Sequence, residues 1–263
     1  DQELLDPLHD LVHRIAPDVV VVSGDLTQRA RSEQFEQARA WLDTLPRPQI
    51  IVPGNHDISL YNVFRRFVLP LDRYKRYITD ELEPVFIDDE VAVMGINTAR
   101  SLTIKDGRVN KEQVAAIRAR LGGLERHITR IIVTHHPFDL PAHADQDALV
   151  DRAPMAMQAF SECGVDLLLS GHMHASHSGS TADRYQMSEY AALVVQAGTA
   201  TSTRGRGEVN SFNVVRVEHD KVEVDRYGWD MVGKMFSVMS TEKFLRSGNV
   251  WAAHTDGLYA AGL

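Results

Sequence analysis

Four short apolar runs in this chain each end abruptly in a small polar cluster, and this repetition constrains the fold more than any other feature. Residues 19–22 run into Ser23, Gly24 and Asp25, and residues 50–52 into Pro53, Gly54, Asn55, His56 and Asp57. Residues 131–133 run into Thr134, His135, His136 and Pro137, and residues 167–169 into Ser170, Gly171, His172, Met173 and His174. Short apolar runs bounded by turn residues read as buried strands, and helical patterns lie between them. Leu4, Leu5, Leu8, Leu11, Val12 and Ile15 share one helical face before Pro17, and further helices are expected over 32–42, after a cap at Asn110, and around 154–160. This is βα alternation. In an open α/β sheet the carboxyl ends of the strands form the ligand-binding edge, so clusters far apart in sequence can converge there. Gly24, Gly54 and Gly171 let the backbone leave each strand sharply.

Strands dominate elsewhere. Residues 85–87 and 91–96 read as a pair around the acidic turn Asp88, Asp89, Glu90, and 193–196, 212–217 and 222–227 as successive strands at an antiparallel sheet edge. At 263 residues the chain suits one large α/β domain, expected over 1–244, with an aperiodic tail over 245–263. Its net charge of −8 repels a nucleic-acid backbone. The single cysteine, Cys163, excludes an internal disulfide and reads as a small core residue. No apolar run approaches the roughly 18 residues of a membrane span, so a cytoplasmic protein with no membrane partner is expected. The chain begins at Asp1, directly before a helical pattern and without methionine.

Each chemistry-bearing residue has an ordinary reading. Asp25 can cap a turn, Asn55 in Pro-Gly-Asn is a natural turn residue, and His135 and His136 before Pro137 can be a polar loop. Taken together these readings fail, because several independent turns would have to supply metal-ligand types at strand ends by accident. The segments Gly24-Asp25, Gly54-Asn55-His56-Asp57, His135 and Gly171-His172-Met173-His174 resemble, in order and spacing, the calcineurin-like metallophosphoesterases, in particular the bacterial phosphodiesterase-like branch. The resemblance implies an α/β fold, a four-layer α-β-β-α sandwich of two mixed sheets with the metal site at the C-terminal ends of the strands. It implies two divalent ions, with Mn, Fe and Zn all suited to the mixed N and O donors. Asp25 would bridge them, Asn55, His135 and His172 would complete one ion, and His174 would bind the other. His56 would meet the scissile phosphate, with Asp57 orienting it, and His136 would support the site from behind the ligands.

The family pattern also opens with Asp-x-His on a first strand. This sequence has no such triplet upstream of Asp25, so that strand is read as missing and the first ion's ligand set as incomplete. One firmly held ion is expected. The implied reaction is hydrolysis of a phosphoric ester by a metal-bridging hydroxide: two cations about 3.5–4 Å apart share and activate it, so no Ser or Cys nucleophile is needed. A small phosphorylated substrate, more a diester than a monoester, is the expected partner, its identity set by loops such as 60–80 and 142–153. The competing reading is a binding module that has lost its first ion. Asn97 and Arg100, ending a strand, are weaker candidates for a phosphate contact.

Overall fold

The computed structural model describes residues 2–59, 67–100, 107–140, 148–173, 176–202 and 208–254. Helices α1 (Gln2–Ile15), α2 (Ser32–Leu42), α3 (Asp72–Tyr77), α4 (Lys111–Leu121) and α5 (Ala153–Cys163) alternate through the first two thirds of the chain with short strands. Helix α4 starts where its sequence says it should, with the Asn110 side chain accepting the Gln113 N–H at 2.8 Å. Helix α5 ends at Gly164, whose φ of 64° is left-handed.

Among the described residues the strands fall into three hydrogen-bonded sheets rather than two mixed ones. β1 (Val20–Val22) and β2 (Gln49–Ile51) form a parallel pair. A six-stranded mixed sheet has the order β3-β4-β5-β6-β8-β7. Its four central strands, β4 (Val91–Gly95), β5 (Thr129–Val133), β6 (Leu167–Ser170) and β8 (Leu193–Gln196), are parallel, and β3 (Val85–Ile87) and β7 (His177–Ser180) close its edges antiparallel. The remaining strands, β9 (Ser211–Glu218), β10 (Lys221–Asp230), β11 (Met235–Ser247) and β12 (Val250–His254), make an antiparallel sheet.

Register explains how the parallel strands are buried on both faces. Met94, Ile132, Leu168 and Val194 stand side by side across the sheet and pack with Val114, Ile117 and Leu121 of α4 and Ala156, Met157 and Phe160 of α5. Their neighbours Val93, Ile131, Leu167 and Leu193 point the other way, as the period of two requires, and meet Ile50, Val222, Val224, Phe244 and Trp251 from the other two sheets. Behind β2, Ile51 packs with Phe35 and Leu42 of α2 and Tyr74 of α3, while Leu4, Leu8 and Leu11 of α1 cover Phe236 of β11.

The strand at 193–196 is not an antiparallel edge: it lies inside the mixed sheet, parallel to β6. The strand at 20–22 is half-buried rather than enclosed. The first part of the expected tail, 245–254, is regular structure: β11 runs to Ser247 and β12 returns beside it to His254, with Trp251 buried at 1% exposure. Residues 255–263 lie outside the described residues. No burial alternation marks this hairpin, because β11 is exposed throughout from Ser237 to Glu242, apolar Val238 and Met239 included, and backbone pairing with β10 holds it in place. No described helix is long and apolar enough to cross a membrane.

Candidate metal centre

β1, β2, β5 and β6 deliver their polar clusters to one place. Gly24 leaves β1 at a φ of 93°, and a Cβ there would lie 2.7 Å from both the Gly54 nitrogen and Nδ1 of His135. Only glycine lets the two loops and the imidazole approach so closely. Asp25 and His172 follow their glycines in left-handed backbone, with φ of 57° and 72°. Such conformations cost a non-glycine residue about 1 kcal/mol each and persist where the surroundings demand them. Here they turn the two side chains towards His135.

The wiring of His135 fixes its chemistry. Its Nδ1 lies 2.7 Å from the carbonyl oxygen of Ser23, which can only accept, so Nδ1 carries the proton and Nε2 the lone pair. That Nε2 meets Asn55 Oδ1 at 2.9 Å, His172 Nδ1 at 3.1 Å and Asp25 Oδ1 at 3.5 Å. A lone-pair nitrogen, an amide oxygen and a carboxylate oxygen converge, and the natural complement of that donor set is a divalent cation. The residues present therefore fit a metal ion, with the backbone carbonyl behind His135 supplying the outer hydrogen bond that orients a ligand imidazole. His135, His136 and His172 also form a cluster whose ligand nitrogens lie within 4.8 Å of one another, His135 and His136 buried and His172 half-buried.

The remaining site expectations divide. His56 is brought to the centre: its backbone N–H donates to Asp25 Oδ1 at 3.0 Å, and its Nδ1 is buried with no hydrogen-bond partner among the described residues. Among the described residues, the hydrogen bonds of the Asp57 side chain go elsewhere than to that ring. Its buried carboxylate accepts from the backbone N–H groups of Gly54 (2.9 Å), Leu26 (3.2 Å) and Thr27 (2.9 Å), so it ties the loop after β2 to the loop after β1. Burial, and then the charge of Asp25, push this carboxyl up to about 7, while those three N–H groups pull the other way. His174 lies outside the described residues, as do residues 60–66 and 142–147 of the two candidate substrate loops. Arg100 is not at the centre: its guanidinium donates to Asn97 O, Ala99 O and Gln113 Oε1. Tyr74 is core, its hydroxyl donating to Ile51 O.

Sequence reasoning missed Thr27, whose hydroxyl sits 3.1 Å from both Asp57 Oδ1 and the carbonyl of His56 and accepts the N–H of Ala30. Its position two residues after Asp25 was the available signal. Thr98, 2.8 Å from Nδ1 of His136, gave none.

The profile of the calcineurin-like phosphoesterase family matches residues 2–176. The chain is 29% identical over 171 residues to a glycerophosphodiester phosphodiesterase of Enterobacter lignolyticus, covering 57% of this chain and 56% of that one. It is 23% identical over 179 residues to the 3',5'-cyclic adenosine monophosphate phosphodiesterase of Escherichia coli K12, covering 66% and 59%. The chain thus spans less than two thirds of the length of these curated relatives. Among solved structures, a dimetal phosphatase from Danio rerio superimposes with a TM-score of 0.62 over 85% of this chain and 86% of that one, at 16% identity, which is a likeness of fold. With the family profile matched across residues 2–176, well over half of its 263 residues, the chain belongs to the calcineurin-like phosphoesterase family.

Proposed function

We propose that this protein is a metal-dependent phosphodiesterase acting on a small phosphodiester. The observation that carries the reading is the meeting of Asn55 Oδ1, Asp25 Oδ1 and His172 Nδ1 around the lone-pair nitrogen of His135. Two divalent ions, of Mn, Fe or Zn, would be held by Asp25, Asn55, His135 and His172, with His174 on the further ion. When bound they supply an activated hydroxide and polarise the phosphoryl oxygens. The chain's own residues do the rest. Asn55 donates an oxygen without adding charge, which keeps the centre attractive to a phosphate anion. Asp25 both faces His135 and anchors the N–H of His56, so one carboxylate fixes the distance between ligands and His56. His56 would meet the scissile phosphate, either stabilising its transition-state charge or protonating the departing oxygen as a water-derived hydroxyl joins phosphorus and the ester P–O bond breaks. Asp57 and Thr27 hold the loop that carries it.

The same reading takes in the four-layer α-β-β-α order, a single domain with its site at the carboxyl ends of β1, β2, β5 and β6, and a cytoplasmic enzyme. The net charge of −8 speaks against a nucleic-acid substrate. The test is hydrolysis of bis(p-nitrophenyl) phosphate and p-nitrophenyl phosphate with manganese. Turnover favouring the diester, abolished by chelation and reduced about a hundredfold or more in His56→Ala, is expected. Stoichiometric metal without turnover of either ester would favour the binding module.

A further inference from the structure

Two adjacent histidines follow β5, and their rings are wired in opposite senses. His135 gives its Nδ1 proton to the Ser23 carbonyl, which leaves a lone pair on Nε2. His136 has Nδ1 at 2.8 Å from Oγ1 of Thr98, a side chain wholly buried on the turn after β4. The same oxygen accepts the backbone N–H of His136 at 3.3 Å.

A threonine hydroxyl has two lone pairs and one proton. The backbone N–H takes one lone pair, and a buried hydroxyl proton needs an acceptor. Among the described residues, the acceptor that meets Thr98 Oγ1 is Nδ1 of His136. The hydroxyl therefore donates to Nδ1, and the proton of the neutral ring sits on Nε2. The ring lies against the centre, its centroid 4.8 Å from that of His135 and 4.7 Å from that of His172, and ligand nitrogens of the three histidines lie within 4.8 Å of one another. Gly107 packs its backbone against the Cγ and Nδ1 edge, where a Cβ would overlap the ring.

We propose that Thr98 is a positioning residue that fixes His136 as an Nε2–H donor facing the centre, so that His136 binds an oxygen of a phosphate-type anion instead of serving as a third imidazole ligand. A metal needs a lone pair and an anion needs an N–H. The identity of the anion rests on the hydrolase reading above, whereas the tautomer stands on the hydrogen bonds alone.

The test has two parts. Long-range 1H–15N spectra of the metal-free protein in alkaline buffer separate protonated from lone-pair ring nitrogens, with His136 assigned by its loss in His136→Gln. The expected result is Nε2–H on His136 and Nδ1–H on His135, with the preference lost in Thr98→Val and kept in Thr98→Ser. Calorimetry with inorganic phosphate on the manganese-loaded protein should then show Thr98→Ser binding as wild type and Thr98→Val about tenfold more weakly, at unchanged manganese stoichiometry. Nδ1–H on His136 in the wild type, or loss of a bound manganese ion in His136→Gln, overturns the proposal. If the tautomer is as stated but no form binds phosphate, the anion role of His136 falls with the hydrolase reading, and the positioning by Thr98 stands.

Discussion

Replacing Asp57 by alanine should destabilise the metal-free protein by about 3 kcal/mol, because that carboxylate is the clamp between two site loops. It is 1% exposed and accepts three backbone N–H groups, from Gly54, Leu26 and Thr27. A buried donor stripped of its acceptor costs roughly 1–3 kcal/mol. The lower figure applies to each, since the Leu26 contact is only partly buried and water can enter the space the side chain leaves. The loss should also depend on pH. The folded pKa of about 7 lies above the ordinary 3.8, so the folded chain holds the proton more tightly than the unfolded one. The contribution of Asp57 is therefore complete below about pH 4 and declines as pH rises through about 7. Urea unfolding of wild type and Asp57→Ala in chelator, from mildly acid to mildly alkaline pH, measures both effects. A loss under about 1 kcal/mol, or one that grows in alkaline buffer, refutes the clamp.

Gly54→Ala should abolish metal binding, because a Cβ there would overlap the Asp25 carboxyl; equilibrium dialysis with manganese checks this. Trp251→Ala should cost about 3–5 kcal/mol in urea unfolding, since its ring is buried at the junction of two sheets and its Nε1 donates to Asp166. Burial pushes the Asp225 carboxyl up, but the Thr241 hydroxyl and the Arg216 guanidinium outweigh it and leave it lowered. Its stabilisation is therefore present at neutral pH and lost as pH falls below the ordinary carboxylate range. With Arg216 half-exposed, Arg216→Ala should cost under about 1 kcal/mol at neutral pH and nothing in strong acid, as read from thermal unfolding.

The parallel core and the site loops were legible because their causes are local. A run such as 131–133 is apolar since both faces of β5 are covered, and the glycine that follows a strand is demanded by a close approach that the residue type itself records. What escaped has non-local causes. β7, with the sequence His-Ser-Gly-Ser, is a strand by virtue of the backbone groups of β8 beside it. The β11–β12 hairpin lacks alternation for the same reason. At the site, residue types announced Asn55, His135 and His172, but the role of Asp57 depends on which N–H groups surround it, and no spacing encodes that. Thr98 lies far from His136 in sequence, so only the pairing of β4 with β5 reveals their contact.

Anomalous diffraction from crystals soaked in manganese would locate the ion itself. A strong peak coordinated by Asn55 Oδ1, His135 Nε2, a ring nitrogen of His172 and the carboxylate of Asp25 is expected, with loss of that peak in His135→Ala. Absence of a peak among these four residues at saturating manganese, or a peak bound elsewhere and unaffected by His135→Ala, would contradict this metal centre.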